Sequence, residues 1–150
     1  MKVLVQRSKE SYVLVDGKDV GHIDKGIVAL VGFTEGDDIE TIKYCVNKLI
    51  HLRIFDDEDG VMNKSILDVG GKVLSISQFS LYGDTKKGNR PSYIKSLNKD
   101  EATILYDKFN EELEKYLPVE TGVFHAEMEV HITNDGPITI EIRKENKNEE

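Results

Sequence analysis

The chain has no tryptophan, one cysteine and three prolines in 150 residues. A single thiol forms no internal disulfide, so no covalent staple holds the fold. None is needed, because a chain of this length buries about 68–70% of its unfolded surface. No apolar run reaches the ~18 residues of a membrane span. The opening stretch MKVLVQRSKE alternates briefly and then turns charged, without the apolar core and cleavage site of a secretory signal. With the lone cysteine, this predicts a cytoplasmic protein. The common catalytic signatures are also missing: no HExxH or CxxC frame for a metal, and no GxSxG elbow for a nucleophilic serine. Repeats and low-complexity segments are absent. The expectation is one domain over 1–150, with a polar, frayed tail from about 143 to 150.

Charge is present in quantity and unevenly placed. The net charge of −8 argues against broad, sequence-independent binding to nucleic acid. Between Asp84 and Lys99, however, Lys86, Lys87, Arg90, Lys95 and Lys99 face one acid, Asp84. Such a segment is either a solvated loop or a small phosphate-facing patch.

The first third reads as β-structure. KVLVQRS alternates, and Asp16-Gly17 between two β-rich arms signals a hairpin. KGIVALVGFTE is a continuous apolar run of strand length, which predicts a central strand. The period then changes. Ile39, Ile42, Cys45 or Val46, Leu49 and Leu52 recur at helical spacing, with Asp37 and Glu40 placed as a capping box. A loop with a short turn follows over 56–71, and KVLSISQFSLYG is a strand running into irregular chain. A second helix is predicted from Asn98 as N-cap with Glu101 three later. Its stripe is Ala102, Leu105, Tyr106, Phe109, Leu113 and Tyr116, and Pro118 ends it. VFHAEMEVHIT and ITIEIRK read as strands flanking TNDGPIT, residues 133–139. Strands outnumber helices and several neighbours look hairpin-linked. This favours an α+β fold of mostly antiparallel sheet, with two main helices packed on it.

Few residues carry an obvious chemistry. Cys45 lies on the apolar stripe of the first helix, where a lone cysteine acts as a small core residue. Glu127, Glu129 and His131 would share one strand face, as a metal site needs. The alternating Ala126, Met128, Val130 and Ile132 give the simpler reading of apolar in, polar out, so no metal and no cofactor are expected. SQFSL, residues 77–81, ends a strand with two hydroxyls, an amide and an aromatic, but no base stands nearby in sequence. The chain is therefore either not an enzyme, or its chemistry relies on backbone groups and on the substrate.

Together the motifs resemble the D-aminoacyl-tRNA deacylase (D-tyrosyl-tRNA deacylase) family, the standalone chiral-proofreading enzymes. SQFSL resembles the family's Ser-Gln-Phe-Thr-Leu, and NDGPIT its Asn-x-Gly-Pro-x-Thr. VQR at 5–7, RIF at 53–55, GVMN at 60–63, GNRPS at 88–92 and TGVFHAEMEV at 121–130 follow in order, so the resemblance covers about residues 1–142. One departure stands out: Ser80 replaces the usual threonine, keeping the hydroxyl and losing the methyl that stiffens χ1.

The resemblance implies a barrel-like sheet and a homodimer with active sites at the subunit interface. It implies hydrolysis of the ester joining a D-amino acid, and glycine, to the terminal ribose of tRNA. Gly136-Pro137 would be cis and inserted into the partner's site, rejecting L-residues by a built-in clash. Arg7 matches the residue that braces this element. Ser77, Gln78, Phe79 and Ser80 would form the catalytic centre. Backbone N–H groups near Phe79 and Ser80 would meet the developing oxyanion. The neighbouring ribose hydroxyl would help activate water. Ser80 as nucleophile, or as a hydrogen-bond group only, both remain open. Leu81, Phe124, Met128, Asn134 and Thr139 would complete the substrate site, with Phe79 stacking on the terminal adenine. Lys86, Lys87 and Arg90 would contact acceptor-stem phosphates. The expected partners are the 3′ end of aminoacyl-tRNA and a second copy of the chain, with no membrane and no DNA. Alternatives are an L-amino-acid editing deacylase like the editing domains of threonine tRNA synthetases, a non-catalytic nucleic-acid-binding module, and a plain structural dimer.

Overall fold

The computed structural model describes residues 1–146. In chain order these form β1 (Lys2–Ser8), β2 (Ser11–Val15), β3 (Lys18–Ile23), β4 (Gly26–Gly32), α1 (Ile39–His51), β5 (Phe55–Asp56), β6 (Met62–Lys64), α2 (Ile66–Val69), β7 (Lys72–Ser77), a 3₁₀ turn (Phe79–Tyr82), α3 (Lys99–Glu114), β8 (Val119–Thr121), β9 (Glu129–His131) and β10 (Asn134–Arg143).

The apolar run of β4 sits at the centre of a five-stranded sheet of order β10-β1-β4-β7-β8. A strand in that position has both faces covered, which is why its sequence is apolar without alternation. β1 pairs antiparallel with β4 and with β10. β7 pairs parallel with β4, and β8 parallel with β7. Parallel neighbours need a crossover, and α1 with α2 supplies the first and α3 the second. The sheet is therefore mixed rather than mostly antiparallel. The remaining sheets, β3-β2-β9 and β5-β6, are antiparallel. The described strands form open sheets and no closed barrel, which corrects the barrel-like expectation.

Alternation along β4 serves two cores. Ile27, Ala29 and Val31 join Val3, Val5 and Val73 beneath α1 and α3, where Ile42, Cys45, Leu49, Phe109 and Leu113 are buried. Val28, Leu74 and Ile76 face the other way onto Val13 and Ile23 of the small sheet, with Met128 and Val130 packed alongside. Helices, central sheet and small sheet thus form three layers. Asp16 and Gly17 make the two-residue hairpin turn between β2 and β3, at φ +50° and +76°.

The N-cap of α1 is Asp38, not Asp37. Asp38 accepts from the Thr41 N–H at 3.0 Å, and Thr41 Oγ1 accepts from the Asp38 N–H at 3.3 Å, so Thr41 closes the box instead of Glu40. Asp37 accepts from the Thr34 N–H at 2.8 Å and faces the Met1 ammonium at 2.8 Å. α3 starts as expected, with Asn98 accepting from the Glu101 N–H at 3.0 Å. The stretch read as one strand over 123–133 is strand only at Glu129–His131; Val123–Ala126 forms a turn. The short turn expected within 56–71 is the single-turn α2, preceded by the small β5–β6 hairpin.

TNDGPIT does not lie between strands but within one. β10 leaves register with β1 between Ser8↔Asn134 and Gln6↔Thr139, so the loop Asp135–Ile138 bulges out opposite Arg7. Beyond β10 the chain stays docked. Glu145 accepts from Tyr82 Oη at 2.9 Å, and Asn146 Nδ2 donates to Thr41 Oγ1 at 2.6 Å. The rest of the expected tail, 147–150, lies outside the described residues.

Because the box closes through Thr41, Asp38→Ala lowers Tm by roughly 2–4 °C, whereas Glu40→Ala leaves it within about 1 °C, as read by thermal unfolding followed by circular dichroism.

Candidate functional site

Parallel strands collect their carboxyl ends on one edge, where open sheets usually bind ligands. A cleft of about 390 Å³ opens there, at the ends of β4 (Val31, Gly32) and β7 (Ile76, Ser77). Gln78 and Phe79 form one wall, and Phe124, Ala126 and Met128 another. Gly32 lets the 3₁₀ turn approach: a Cβ there would come within 3.0 Å of the Gln78 carbonyl and 3.1 Å of Leu81 Cβ.

The SQFSL segment borders the cleft through Ser77, Gln78 and Phe79. Ser77 ends β7, and the chain then tightens into the 3₁₀ turn. The first N–H groups of a helical turn have no partner inside it. Those of Phe79 and Ser80 have no backbone acceptor among the described residues. Phe79 is 56% exposed beside the cleft, and its ring forms an edge-to-face pair with Tyr93, the centroids 4.9 Å apart. Ser96 Oγ donates to the Phe79 carbonyl at 3.0 Å and ties the turn to the basic segment. Ser80 is exposed, and its oxygen accepts from the Gln78 amide at 2.5 Å. An amide takes no proton, so this contact provides no base. Ser80 and Leu81 are not among the residues lining the cleft.

The Gly136-Pro137 loop is built from Arg7. The guanidinium is nearly buried and donates through Nη1 to the Ile54 carbonyl at 2.8 Å and through Nε to the Asp135 carbonyl at 3.2 Å. The carboxylates of Asp135 and Asp56 stand at 3.3 and 3.6 Å. Asn134 closes the loop, its Oδ1 accepting from the Ile138 N–H at 3.1 Å and its Nδ2 donating to Thr139 Oγ1 at 2.9 Å. Gln6 Nε2 donates to the same Thr139 oxygen at 3.2 Å. Gly136 has φ +122°, and a Cβ there would come within 2.7 Å of Ile138 Cγ1 and 3.0 Å of Arg7 Nη2, so only glycine fits. The Gly136-Pro137 bond is cis, and both residues are exposed. Strand register measures how far this tip lies from the cleft of its own chain. The bulge begins opposite Ser8, which pairs with Gly26, while the cleft lies at Gly32. Six residues at ~3.3 Å put the two roughly 20 Å apart along the sheet.

The family model for D-Tyr-tRNA(Tyr) deacylase matches residues 4–143. The chain belongs to this family. It is a hydrolase acting on D-aminoacyl-tRNA. A solved structure of a protein named c-Myc DNA Unwinding Element Binding Protein is 37% identical, with 97% of this chain and 100% of that one covered and a TM-score of 0.92. A second, described as a probable eukaryotic D-amino acid tRNA deacylase, shares the fold at 20% identity, covering 94% and 98% with a TM-score of 0.78.

In this deacylase the basic segment forms an exposed loop closed by the Asp84↔Ser92 bridge. Lys86, Lys87 and Arg90 form no ion pair among the described residues, whereas Lys95 pairs with Asp84 at 3.4 Å. Sequence reasoning passed over His125, Ser96, Leu97 and Lys99 in the cleft wall and took Ala102 for helix core alone. The helical stripe gave away Ala102 as buried but not that the first turn of α3 borders a cavity. Of the three residues expected on one strand face, Glu127 precedes β9, while Glu129 and His131 on it pair at 2.5 Å. One His/carboxylate trio does cluster among the described residues: Glu10, His22 and Asp24, with ligand atoms within 4.8 Å of one another. It lies at the Gly26 end of the sheet, away from the cleft, and His22 is already paired with Glu10 at 3.0 Å and Asp19 at 3.2 Å. No described helix is long and apolar enough to cross a membrane.

Cys45 is no nucleophile. It lies on the buried face of α1, and burial pushes its thiol up to about 11. Iodoacetamide at pH 8 therefore leaves the native protein unmodified by mass spectrometry and adds one label in 8 M urea. Arg7→Lys removes the fork that holds two carbonyls at once, and costs about 2 kcal/mol in urea unfolding.

Proposed function

We propose that this deacylase sorts its substrates by chirality with backbone rather than with a side-chain pocket, and that it does so as a homodimer. The observation that carries this reading is the Arg7-clamped tip at Gly136 and Pro137, exposed and roughly 20 Å along the sheet from its own cleft. A substrate held in the cleft meets such a tip only when a second copy brings it. The carbonyls of the incoming loop face the α-amino group and Cα hydrogen of the aminoacyl ester. A D-residue turns its side chain outward. An L-residue drives its side chain into the rigid loop and is refused. Glycine has no side chain to refuse and is hydrolysed.

The ester lies across the SQFSL turn. Phe79 stacks on the terminal adenine, and Gln78 orients the ester. Phe124 and Met128 flank it. The free N–H groups of Phe79 and Ser80 receive the negative charge that develops on the carbonyl oxygen. With no base beside Ser80, water is the nucleophile, and the neighbouring ribose hydroxyl assists in its deprotonation. Ser80 holds the turn through Gln78. Ser77 supports the turn from the end of β7, and Leu81 does so from its packing on Gly32. Asn134 and Thr139 set the loop's shape. Lys86, Lys87 and Arg90 meet acceptor-stem phosphates, giving modest, salt-sensitive binding. A second reading, nucleic-acid binding without turnover, is favoured by the 37%-identical neighbour, whose name gives a DNA element as that protein's ligand.

Single-turnover hydrolysis of D-Tyr-tRNA, L-Tyr-tRNA and Gly-tRNA tests the proposal. D-Tyr and Gly are released and L-Tyr is retained. Ser80→Ala keeps D-Tyr hydrolysis within about tenfold, since the loss is one hydrogen bond of roughly 1 kcal/mol. Release of L-Tyr at a similar rate sinks the backbone filter. A loss of about four orders of magnitude in Ser80→Ala restores serine as the nucleophile. Binding of tRNA or duplex DNA with no turnover of any ester leaves the second reading.

A further inference from the structure

A second cleft, of about 350 Å³, lies on the other side of the 3₁₀ turn from the first. Phe79 lines one cleft and Tyr82 the other. Four cations stand around it: Lys2 on β1, Arg143 at the end of β10, and Lys86 and Lys95 from the basic segment. Two acids, Asp84 and Glu145, are there as well, and both are engaged. Asp84 accepts from the Lys86 N–H at 2.9 Å and pairs with Lys95 at 3.4 Å. Glu145 accepts from Tyr82 Oη at 2.9 Å and pairs with Arg143 at 3.2 Å. Lys2 forms no ion pair among the described residues, and Lys86 has Asp84 nearby without a direct ion pair. Lys2 Nζ is aimed by the Leu81 carbonyl at 3.2 Å and by the ring of Tyr82, 4.7 Å away.

Register makes the arrangement informative. Lys2 and Arg143 are direct cross-strand partners in the β1–β10 ladder. Like charges placed directly opposite oppose pairing; Glu145 already meets Arg143, and an anion beside Lys2 would meet the other charge. Lys2 is also the cross-strand partner of Gly32, which lines the first cleft. One strand spacing, ~4.8 Å, therefore separates the backbones that carry the two clefts, and the four-residue turn between them spans about 8 Å. Stacked nucleotides advance about 3.4 Å each along a strand.

We infer that the second cleft seats a backbone phosphodiester of the RNA within about two nucleotides of the terminal ribose, with Lys2 as its ligand. This rests on the reading of the first cleft as the site of the ester. It places the RNA on a path across the Phe79–Tyr82 turn, with the ester on one side and the phosphate on the other. It also gives the enzyme a way to tell a nucleic-acid end from a free aminoacyl nucleoside.

Three D-tyrosyl esters of increasing length test this: D-tyrosyl-adenosine, which has no phosphate, the D-tyrosylated 3′-terminal trinucleotide of tRNA, and D-Tyr-tRNA. For Lys2→Gln, kcat/KM falls about two- to fivefold further on the trinucleotide and the tRNA than on the nucleoside ester. The loss lies in KM, and the salt dependence of log KM on the trinucleotide becomes shallower by about 0.7. Lys2→Arg restores both. Equal losses on all three esters mean a structural role for Lys2 and overturn the seat. A loss confined to full-length tRNA moves the contact to the acceptor stem and overturns its placement near the ribose. Wild-type protein that cleaves none of the three overturns the proposed reaction itself, and the seat with it.

Discussion

A buried guanidinium governs the part of this molecule that sets it apart from other mixed α+β folds. The Arg7 side chain is largely buried, so its charge is met mainly by protein oxygen. The oxygens come from far along the chain, from Ile54 and Asp56 ahead of the β5–β6 hairpin turn and from Asp135 in the bulge of β10. To present its carbonyl to Arg7, the chain at 135–138 must leave the ladder. Once it has left, the only residue that fits against Nη2 is glycine. The exposure and stiffness of the Gly136-Pro137 tip are thus consequences of satisfying one charge. The residue that sits deepest in this region sets the shape of the part that reaches furthest out.

The second organising fact is directional. β4 and β7 run in parallel and finish on one edge, where the SQFSL turn and the first turn of α3 enclose the cleft. The Arg7-braced tip and the His22 cluster lie towards the opposite edge. Lys2 and Lys86 line the second cleft at this end, and Lys87 and Arg90 lie on the exposed loop beside it.

Much of this was readable from residue order because it rests on local rules. The Asp16-Gly17 turn, the helical stripes, the Asn98 cap and the apolar central strand all follow from periodicity or backbone chemistry within a few residues. The errors have equally local causes. Asp37 and Asp38 are adjacent acids, each able to cap, and what separates them is a contact of Asp37 with Thr34 and the Met1 ammonium. The 123–128 stretch alternates like a strand but finds no partner there, and instead turns to wall the cleft. Parallel pairing of β4 with β7 leaves no mark on either strand beyond continuous apolarity, since the crossover lies elsewhere. In the candidate site, the two motif segments were visible because each is contiguous. The Ser96 tie to Phe79, the wall formed by His125 and Lys99, and the cross-strand pairing of Lys2 with Arg143 join distant residues, and no local pattern announces them.

The ladder between β1 and β10 has one more implication. Its pairing joins Lys2 to Arg143 and Ser8 to Asn134, so β1 waits for almost the whole chain before its outer edge is covered. On a ribosome adding about 5–20 residues per second, that edge is open for several seconds to half a minute after β1 and β4 have paired. An uncovered edge recruits other strands. Lys2 and Gln6 on one face of β1, and the charge of Arg7 on the other, therefore protect the nascent chain before they serve the finished enzyme, and the Arg7-braced loop cannot assemble until Asp135 has been made.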